Sequence, residues 1–463
     1  MRLQFIGLSF IIGSAIILYF DVPQDLLHFV NFAYSETSEI LNLSNEIINS
    51  TFPQINTHNN DIFVVWSGNV GHGVNEIQSD IFFTKSENKG SSFGEPINLS
   101  NNPGSSFNPH SEISSNNVYV VWEDDTLADA ETHDLSANTS ILFTKSKDNG
   151  TTFLPAVPLS YINADSSNPD ITTTNGNTVF VVWQDNLDES SQIVFKKSIS
   201  NNNNVFSDQQ NISNIQENNF EISPQIITTN NTINIIWDDF SPKEESSHIL
   251  KRSSIDDGIT FGHVMQLSNY SEFAINDISN VYNNNMYIVW QENFKEQFDI
   301  FLSKSSDGGI TFSKPINLSN DSGDSTNPNL IELHNNLYVI WNDNDTKNYN
   351  VMIKRSSDGG ITFSKPINLS NSTNADSNNP QLASTANELF VVWQGNFKGQ
   401  FDIFLSKSSD GGITFSKPIN LSNSTNADSI NPQLASTANE LFVVWQEDLS
   451  GNNQIYFTKV DTL

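Results

Sequence analysis

The sequence predicts an all-β fold, and more narrowly a single eight-bladed β-propeller of four-stranded blades. The stretch Ser-Ser-Asp-Gly-Gly-Ile-Thr-Phe-Ser-Lys-Pro-Ile-Asn-Leu-Ser-Asn occurs three times without change, starting at Ser305, Ser356 and Ser408. Successive tryptophans are about 51 to 61 residues apart, and each ends an apolar run such as Phe-Val-Val-Trp. These tryptophans are Trp66, Trp122, Trp183, Trp237, Trp290, Trp341, Trp393 and Trp445. A period of about 50 residues is the size of one propeller blade, so eight repeats predict eight blades.

The unit from Asn379 to Ser422 illustrates how the strands of one blade are predicted. Asn379-Pro380 marks the entry of the first strand, where the missing N–H of proline does least harm. Ala386-Asn387 is a turn, and the Val- and Phe-rich run after it is long enough to be buried on both faces. Four antiparallel strands are therefore predicted at residues 381–384, 388–394, 401–406 and 417–422.

The two ends of the repeat array predict how the ring closes. The last unit stops after its third strand, at Tyr456-Phe457-Thr458-Lys459. The missing fourth strand has a match near the start of the chain, because Ile40-Leu41-Asn42-Leu43-Ser44 resembles the Pro-Ile-Asn-Leu-Ser of other units. We therefore expect the N-terminal strand to complete the last blade and remove an open sheet edge. Two smaller propellers are the alternative, although no linker divides the repeats.

The composition limits the classes of partner. The formal net charge is -32, with a pI near 4.3, and 16% of residues are charged. Such a surface repels nucleic acid phosphates and anionic lipid headgroups, and it suits cations, basic partners or solubility alone. There is no cysteine, which excludes disulfides, zinc–thiolate sites and cysteine nucleophiles.

The N-terminal segment predicts export. Residues 5–20 form an almost unbroken apolar run after Met1-Arg2, and Ala33-Tyr34-Ser35 has the small residues that a signal peptidase reads. Residues 1–35 are therefore a cleaved signal peptide or a retained membrane anchor, and residues 36–463 form the propeller. Either reading places the propeller outside the cell or on its surface, with membrane contact through the N-terminal segment only. The Asn-x-Ser/Thr sequons, among them Asn42, Asn98, Asn317, Asn368 and Asn420, fit an exported surface that carries glycans.

A second motif, Ser-x-Asp-x-Gly-x-Thr-Phe, lies between the third and fourth predicted strands. A tight hairpin leaves N–H groups unpaired there, which a short carboxylate accepts, while glycine permits the positive φ of the turn. The motif resembles the Asp-box, or BNR repeat, of sialidase-like β-propellers, over nearly the whole exported chain. The resemblance implies that these aspartates are structural and lie on the face opposite the ligand site. They are Asp148, Asp256, Asp307, Asp358 and Asp410, while Asn88 takes the aspartate position in the first unit.

The resemblance makes sialidase activity the first function to consider. In that family three arginines clamp the carboxylate of the substrate, because a planar bidentate cation holds that group well. Beyond the N-terminal segment this chain has two arginines, Arg252 and Arg355, and both are predicted near the boxes. The arginine triad is therefore absent, and the sequence leans against an enzyme without deciding the point.

Acidic residues recur two positions after the tryptophans, and a ring of them is a candidate ligand or cation face. Carboxylates of this kind suit a hard cation such as Ca²⁺, or a cationic ligand. The alternative is ordinary turn chemistry after a strand. The candidates are Asp124, the adjacent Asp125, Asp185, Asp239, Glu292, Asp343 and Glu447.

One region breaks the repetition and offers a weaker candidate for a metal site. The loop from Glu123 to Ser140 is long and contains His133 and Asp134. His72 and His110 belong to neighbouring parts of the first two units, so the four side chains are candidate metal ligands. A solvated loop is one alternative. A pair of carboxylates for inverting glycoside hydrolysis is the other.

The near-identity of the last two units favours binding over catalysis. Ser372–Trp393 and Ser424–Trp445 differ only at Asn378 and Ile430. Duplicated blades present the same groups repeatedly, which suits a multivalent surface better than a convergent active site. The sequence therefore predicts a monomeric, non-catalytic binding or scaffold module for a glycan or extracellular protein, with Ca²⁺ as the candidate cation. A glycoside hydrolase of sialidase-like fold with a different active site, and a structural component of the cell envelope, are the alternatives.

Overall fold

The computed structural model describes residues 9–12, 15–18, 39–45, 47–71, 77–126, 138–161, 165–174, 178–187, 190–199, 204–213, 219–229, 232–268, 273–282, 284–345, 347–371, 375–397 and 399–461. The chain divides into two compact units, Met1–Glu36 and Thr37–Leu463. In the first unit, β1 (Ser9–Ile12) and β2 (Ala15–Leu18) pair as an antiparallel hairpin. Across the described part of the chain, no helix has the length and apolar character needed to cross a membrane.

The second unit consists of eight four-stranded antiparallel sheets, which confirms the predicted eight-bladed propeller. The strand β3 (Leu41–Asn42) comes first in the chain and belongs to blade 8. Blade 1 contains β4 (Ile48–His58), β5 (Asp61–Gly71), β6 (Ile77–Ser86) and β7 (Ile97–Asn98), and blade 2 contains β8 (Ser106–Ser114), β9 (Asn117–Asp124), β10 (Ser140–Ser146) and β11 (Val157–Pro158). Blade 3 contains β12 (Asp165–Thr173), β13 (Val179–Leu187), β14 (Ser190–Lys197) and β15 (Gln210–Asn211), and blade 4 contains β16 (Phe220–Thr229), β17 (Thr232–Ser241), β18 (Ser246–Ser254) and β19 (Met265–Gln266). Blade 5 contains β20 (Ala274–Tyr282), β21 (Asn285–Phe294), β22 (Gln297–Ser305) and β23 (Ile316–Asn317), and blade 6 contains β24 (Ser325–Leu333), β25 (Asn336–Asp343), β26 (Asn350–Ser356) and β27 (Ile367–Asn368). Blade 7 contains β28 (Ser377–Ser384), β29 (Leu389–Phe397), β30 (Gln400–Ser408) and β31 (Ile419–Asn420). Blade 8 contains β32 (Asp428–Ser436), β33 (Glu440–Asp448) and β34 (Asn453–Asp461), and β3 is its fourth strand.

The hydrophobic core lies between neighbouring blades. The second strand of each blade is apolar on both faces, and every one of the eight tryptophans on these strands is buried. Each apolar cluster joins two blades; in one of them, Val64 of blade 1 packs together with Phe442 and Phe457 of blade 8. Burial of such side chains is the main stabilising contribution, at about 25 cal/mol per Å² of apolar surface.

The ring closes as the sequence predicts. Leu41 of β3 pairs with Phe457 of β34, so the N-terminal strand supplies the outer edge of the last blade. The first strand of blade 8, β32, also contacts β4, the first strand of blade 1. Across the same junction the rings of Phe93 and Phe457 meet edge to face, with centroids 4.8 Å apart. The eight blades therefore form one closed ring, and the alternative of two smaller propellers is wrong.

The first strands differ from the prediction, because the Asn-Pro pairs lie inside them. β28 begins at Ser377, and the register between β28 and β29 shifts between Asn378 and Gln381. The reason is a β-bulge, with Asn379 at a φ of 49°. A bulge leaves one residue out of the ladder, which is where a strand tolerates proline.

The fourth strands are also shorter than predicted, at two residues each, and polar side chains fasten them to the third strands. In blade 7, Asn420 Nδ2 donates to Asp402 Oδ2 at 2.9 Å and Ser422 Oγ donates to Asp402 Oδ1 at 3.0 Å. Asn98 and Asn317 donate in the same way to Asp80 and Asp299. The asparagine of these three sequons is therefore a hydrogen-bond donor within its own blade.

Closure by β3 predicts equal effects from two matched substitutions. Leu43 and Leu421 occupy the same position in blades 8 and 7, and both are buried. Leu43→Ala and Leu421→Ala should each lower the free energy of unfolding by about 2–5 kcal/mol, because each leaves a cavity in a core between blades. Urea unfolding measures both. A negligible effect of Leu43→Ala beside a large effect of Leu421→Ala would contradict docking of the N-terminal strand.

Candidate functional site

The antiparallel topology gives the ring two faces. The second strand of each blade ends, and the third begins, at one face, which also carries the connections between blades; we call it the loop face. The turns between the third and fourth strands lie at the other end of the third strand, and we call that side the box face. The predicted site residues that the structure describes lie at one of these faces or inside a blade.

The box turns are held by dense local hydrogen bonding, which blade 2 illustrates. Asp148 Oδ1 accepts from Ser146 Oγ at 2.7 Å and from the Thr152 N–H at 2.8 Å, and Oδ2 accepts from Thr152 Oγ1 at 2.6 Å. Gly150, at a φ of 76°, donates its N–H to Ser146 Oγ. The contacts from Thr152 and Ser146 lower the pKa of Asp148 to about 2.

The remaining boxes repeat these contacts. Each of the other four aspartates accepts from the serine two residues before it and from the threonine four residues after it. They are Asp256, Asp307, Asp358 and Asp410. The structural role predicted for them stays a prediction, and these contacts are what such a role requires.

The boxes also connect each blade to the next. Lys85 at the end of β6 donates through Nζ to the Asn149 carbonyl in the following box at 3.0 Å. Lys304 donates in the same way to the Gly359 carbonyl at 3.0 Å. Phe153 of the blade 2 box packs edge to face on Phe83 of blade 1, with centroids 4.9 Å apart. The box face is therefore a continuous interlocked layer between these blades.

The predicted ring of carboxylates lies largely inside the blades. Asp124 Oδ2 accepts from Trp122 Nε1 at 3.2 Å and from Ser106 Oγ at 2.6 Å. Four other members also accept from the indole N–H of their own tryptophan, namely Asp185, Glu292, Asp343 and Glu447. All five carboxylate residues are buried. They supply an acceptor that a buried indole N–H requires, and their predicted role in cation binding remains untested.

Two units have glycine in place of this carboxylate. A Cβ on Gly68 would lie 2.4 Å from Ile47 Cγ2, and one on Gly395 would lie 3.0 Å from the Phe404 ring. An apolar side chain therefore lies close to each glycine.

The remaining candidates are partly exposed or outside the described residues. Asp125 accepts from the Ser105 N–H, and burial raises its pKa. His110 lies on β8, with Nδ1 3.5 Å from Asp170 Oδ1 of blade 3. His72, His133 and Asp134 lie outside the described residues, so the proposed metal site stays a prediction. In the part of the chain that the structure describes, no group of three or more His, Cys, Asp or Glu side chains is arranged to hold a metal.

The two arginines of the propeller bind structural partners. Arg252 donates through Nη1 to the Ile212 carbonyl of blade 3 at 2.6 Å and through Nε to the Gly262 carbonyl of its own blade at 2.7 Å. Arg355 donates through Nη2 to Asn336 Oδ1 at 2.8 Å. They belong to blades 4 and 6, near the box ends of β18 and β26.

A ring of bulges around the propeller axis was not predicted from the sequence. In seven blades the third, fourth or fifth residue of the first strand has a left-handed backbone conformation, and a proline follows it. The residues in this conformation are Phe52, Asn108, Asn168, Ser223, Asn327, Asn379 and Asn431, with φ between 49° and 53°. The signal in the sequence was the repeated Asn-Pro pair, which predicted only a strand entry.

In three blades the residue directly after the tryptophan accepts a hydrogen bond from the bulge of the neighbouring blade. Gln291 Oε1 accepts from the Asn327 N–H at 3.0 Å, and Gln394 Oε1 accepts from the Asn431 N–H at 2.9 Å. Glu123 accepts from the Asn168 N–H at 2.9 Å. In each case the acceptor belongs to one blade and the donor to the next, so these three bulges are fixed to the neighbouring blade.

The bulges line a central cavity of about 430 Å³. Its described lining consists of asparagine, glutamine, proline and one phenylalanine, namely Phe52, Pro53, Gln54, Asn108, Asn327, Pro328, Asn379, Pro380, Gln381, Asn431, Pro432 and Gln433. The Phe52 side chain is 56% exposed. Because the bulges come early in the first strands, which start at the loop face, the cavity lies toward that face.

No protein-family profile and no curated protein sequence matches this chain. Similar solved structures include a protein of unknown function from Dyadobacter fermentans, with 13% identity, coverage of 92% of this chain and 99% of that chain, and a TM-score of 0.46. Polysaccharide lyase Uly1 has 12% identity, coverage of 88% and 89%, and a TM-score of 0.47. Phage phi92 endosialidase has 11% identity, coverage of 92% and 69%, and a TM-score of 0.46. Similarity at this level carries no activity, substrate or site residue over to this chain.

The box contacts predict a specific pH dependence for Asp148→Asn. Asn88 makes equivalent contacts in the first box, so the substitution should keep the turn and remove only the charge. We expect a lower thermal midpoint at pH 7, because the pKa of Asp148 is depressed and its contribution to stability is present above its unfolded value of 3.8. That contribution is lost as the pH falls toward about 2. Midpoints of both proteins measured at low and neutral pH test this, and a difference independent of pH would contradict it.

Blade 4 contains a buried carboxyl group, that of Glu221, for which we expect the opposite dependence of stability on pH. Glu221 pairs in register with Asp239, at the position where blade 2 has Ser106 opposite Asp124. Burial, and then the negative charge of Asp239, raise the pKa of Glu221 to about 8. The native state therefore keeps a proton that the unfolded chain loses near pH 4.5.

Glu221→Gln should consequently stabilise the protein at neutral and alkaline pH. With a raised folded pKa, stability of the parent falls as the pH rises from about 4.5 to about 8 and is level above that. The glutamine variant lacks this decline, so its advantage in thermal midpoint should grow across the same range. An advantage that is constant from pH 4 to pH 9 would show that the carboxyl group is not protonated in the native state.

Proposed function

We propose that this chain is an exported binding module that takes a neutral glycan in its central cavity. The observation that carries the proposal is Phe52, an exposed aromatic ring in a cavity otherwise lined by amides and prolines. An aromatic face stacks on the apolar C–H face of a sugar ring, while side-chain amides donate to and accept from its hydroxyl groups. The cavity offers both kinds of contact within one site of ligand size.

The backbone of Phe52 supports a functional reading. Its φ of 53° is a conformation that asparagine tolerates and bulky residues avoid. Five other blades have asparagine at this position, namely at Asn108, Asn168, Asn327, Asn379 and Asn431. The backbone of Phe52 is strained and its side chain is exposed. The replacement of asparagine by phenylalanine at this position therefore does not stabilise the fold. Such departures cluster at functional sites.

The amides around the cavity are held in fixed positions. Asn379 Nδ2 donates to Gln394 Oε1 at 3.2 Å and lies 3.3 Å from Asn431 Oδ1 of the next blade. Asn108 Nδ2 donates to Glu123 Oε1 at 2.8 Å. A polar site whose side chains are already ordered loses less conformational entropy when it binds a ligand.

The charge of the loop face favours a neutral ligand over an anionic one. The described carboxylates in the connections at this face are Asp125, Glu244, Glu245, Glu296, Asp321, Asp324, Asp345 and Asp376. The described cations in the same connections are Lys243, Lys295 and Lys347. A sugar acid that approaches the cavity meets a negative potential, whereas a neutral sugar does not.

The cavity chemistry favours binding over hydrolysis. The described lining side chains are Asn, Gln, Pro and Phe, and none of these types serves as a nucleophile or as a general acid near neutral pH. Glycoside hydrolysis requires two carboxyl groups that flank the bond to be broken. A binding role at the cell surface or outside the cell also fits the N-terminal segment that the sequence predicts to direct export.

Phe52→Asn is the decisive test, because it restores the residue that most blades have. We expect the free energy of unfolding to rise by about 1 kcal/mol, since the left-handed strain is relieved. Affinity for the ligand should fall by about ten-fold with loss of the stacking surface. Titration calorimetry with neutral arabino-, cello- and N-acetylglucosamine oligosaccharides, and with oligogalacturonate as the anionic comparison, measures the binding.

Two further variants serve as controls for the loss of binding. Phe52→Tyr keeps the aromatic ring and should keep most of the affinity. Tyr161→Asn removes an exposed ring in a connection between blades, away from the cavity lining, and should leave affinity unchanged. If Phe52→Asn gains stability and binds as the parent does, the cavity is not the binding site.

A further inference from the structure

Two fourth strands are followed by overlapping sequons for N-glycosylation. Blade 7 has Asn420-Leu-Ser and then directly Asn423-Ser-Thr, and blade 5 has Asn317-Leu-Ser and then Asn320-Asp-Ser. Blade 6 has such a pair as well, but part of its second triplet lies outside the described residues. Glycan attachment requires that an enzyme reach both the asparagine amide and the hydroxyl group two residues later. The structure separates the two asparagines of each pair by this criterion.

The first triplet of blade 7 is bound into its own sheet. Asn420 Nδ2 and Ser422 Oγ both donate to the carboxylate of Asp402, and the Ile403 N–H donates to Ser422 Oγ at 3.0 Å. Leu421 between them is buried in a core between blades. An enzyme reaches this amide and this hydroxyl group only after the outer edge of the blade has opened.

Blade 5 holds its first triplet by the same contacts. Asn317 Nδ2 donates to Asp299 Oδ2 at 2.7 Å, and Ser319 Oγ donates to Asp299 Oδ1 at 2.9 Å. Leu318 is buried as well. The first asparagine of each pair is therefore part of the blade rather than of its accessible surface.

The second triplet of each pair lies in the connection after the fourth strand, at the outer rim of the loop face. Asn423 and Thr425 are exposed, and the Asn423 N–H donates to Asn420 Oδ1 at 2.8 Å. Asn320 and Ser322 are exposed in the equivalent connection of blade 5. The Ser322 hydroxyl group differs from that of Thr425 in donating to the carboxylate of Asp345.

We propose that Asn423, and to a smaller extent Asn320, are N-glycosylation sites, and that Asn420 and Asn317 are not. In the transfer, Nδ2 of the asparagine forms a bond to the anomeric carbon of an oligosaccharide, and the bond from that carbon to a polyprenyl diphosphate breaks. The amide nitrogen loses a proton, and the diphosphate leaves with the bonding electron pair. Asn320 is the poorer acceptor because the hydroxyl group of its sequon is engaged by Asp345.

Glycans at these two positions leave the central cavity open. The fourth strands form the outer edges of the sheets, whereas the cavity is lined by residues of the first strands. Attachment of glycans is therefore independent of what the cavity binds. Export, which the N-terminal segment predicts, brings the chain to a compartment where sequons are modified.

Transfer to the folded full-length protein tests the assignment. The purified protein is incubated with an oligosaccharyltransferase and its polyprenyl diphosphate oligosaccharide, and the attached glycans are located by mass spectrometry of peptides. We expect occupancy at Asn423 to be at least about ten-fold higher than at Asn420, because modification of Asn420 requires local opening of the blade. Occupancy at Asn320 should likewise exceed that at Asn317.

Thr425→Ala provides the matched control, since it removes only the second sequon of blade 7. Thr425 is exposed, so the thermal midpoint of the variant should equal that of the parent. The folded variant should carry no glycan in blade 7. A synthetic peptide of residues 417–428 with the same substitution should be modified at Asn420, because no blade holds that triplet in the peptide.

Two results would overturn the proposal. One is modification of Asn420 in the folded Thr425→Ala protein, which would mean that the blade does not protect the first triplet. The other is an unmodified Asn423 in the folded parent when the peptide of the parent sequence is modified there. That result would mean that the connection after the fourth strand cannot enter the transferase.

Discussion

Ring closure is the constraint on which the rest of this structure depends. Each blade buries the apolar second strand of its neighbour, so no blade has a complete core alone. Eight such sheets in an open array would expose two apolar faces, one on the first blade and one on the last. The pairing of Leu41 with Phe457, and the contact of Phe93 with Phe457, bring the first and last blades together. Closure makes the repeats interdependent and fixes both faces of the ring.

Closure also explains why so many polar groups lie inside the protein. A tryptophan at the centre of every blade brings an indole N–H into the core, and in blades 2, 3, 5, 6 and 8 a carboxylate two residues later accepts it. The box aspartates and the third-strand aspartates likewise satisfy turns and short fourth strands. Much of the acidity of the chain therefore stabilises its architecture, because buried donors without acceptors are costly.

The sequence predicted the fold in considerable detail, but it did not specify the direction of side chains at the strand ends, for one physical reason. The tryptophan period, the boxes and the match at Leu41 depend on local patterns, and those predicted eight blades and the closing strand correctly. Whether Asp124 faces solvent or its own Trp122 depends on side-chain direction at the end of a strand, which a repeat pattern does not specify. The bulge at Asn379 was missed similarly, since proline signals a break in the ladder without saying whether the strand continues beyond it.

In a repeat protein the informative residues are those that differ between equivalent positions. What all blades share is explained by packing and closure, so it carries little information about a ligand. Phe52 differs from the asparagine of most blades in the direction of greater strain and greater exposure. This departure adds exposed apolar surface where most blades have a polar residue. Packing between blades does not account for it, so it supports the proposal that the cavity binds a ligand.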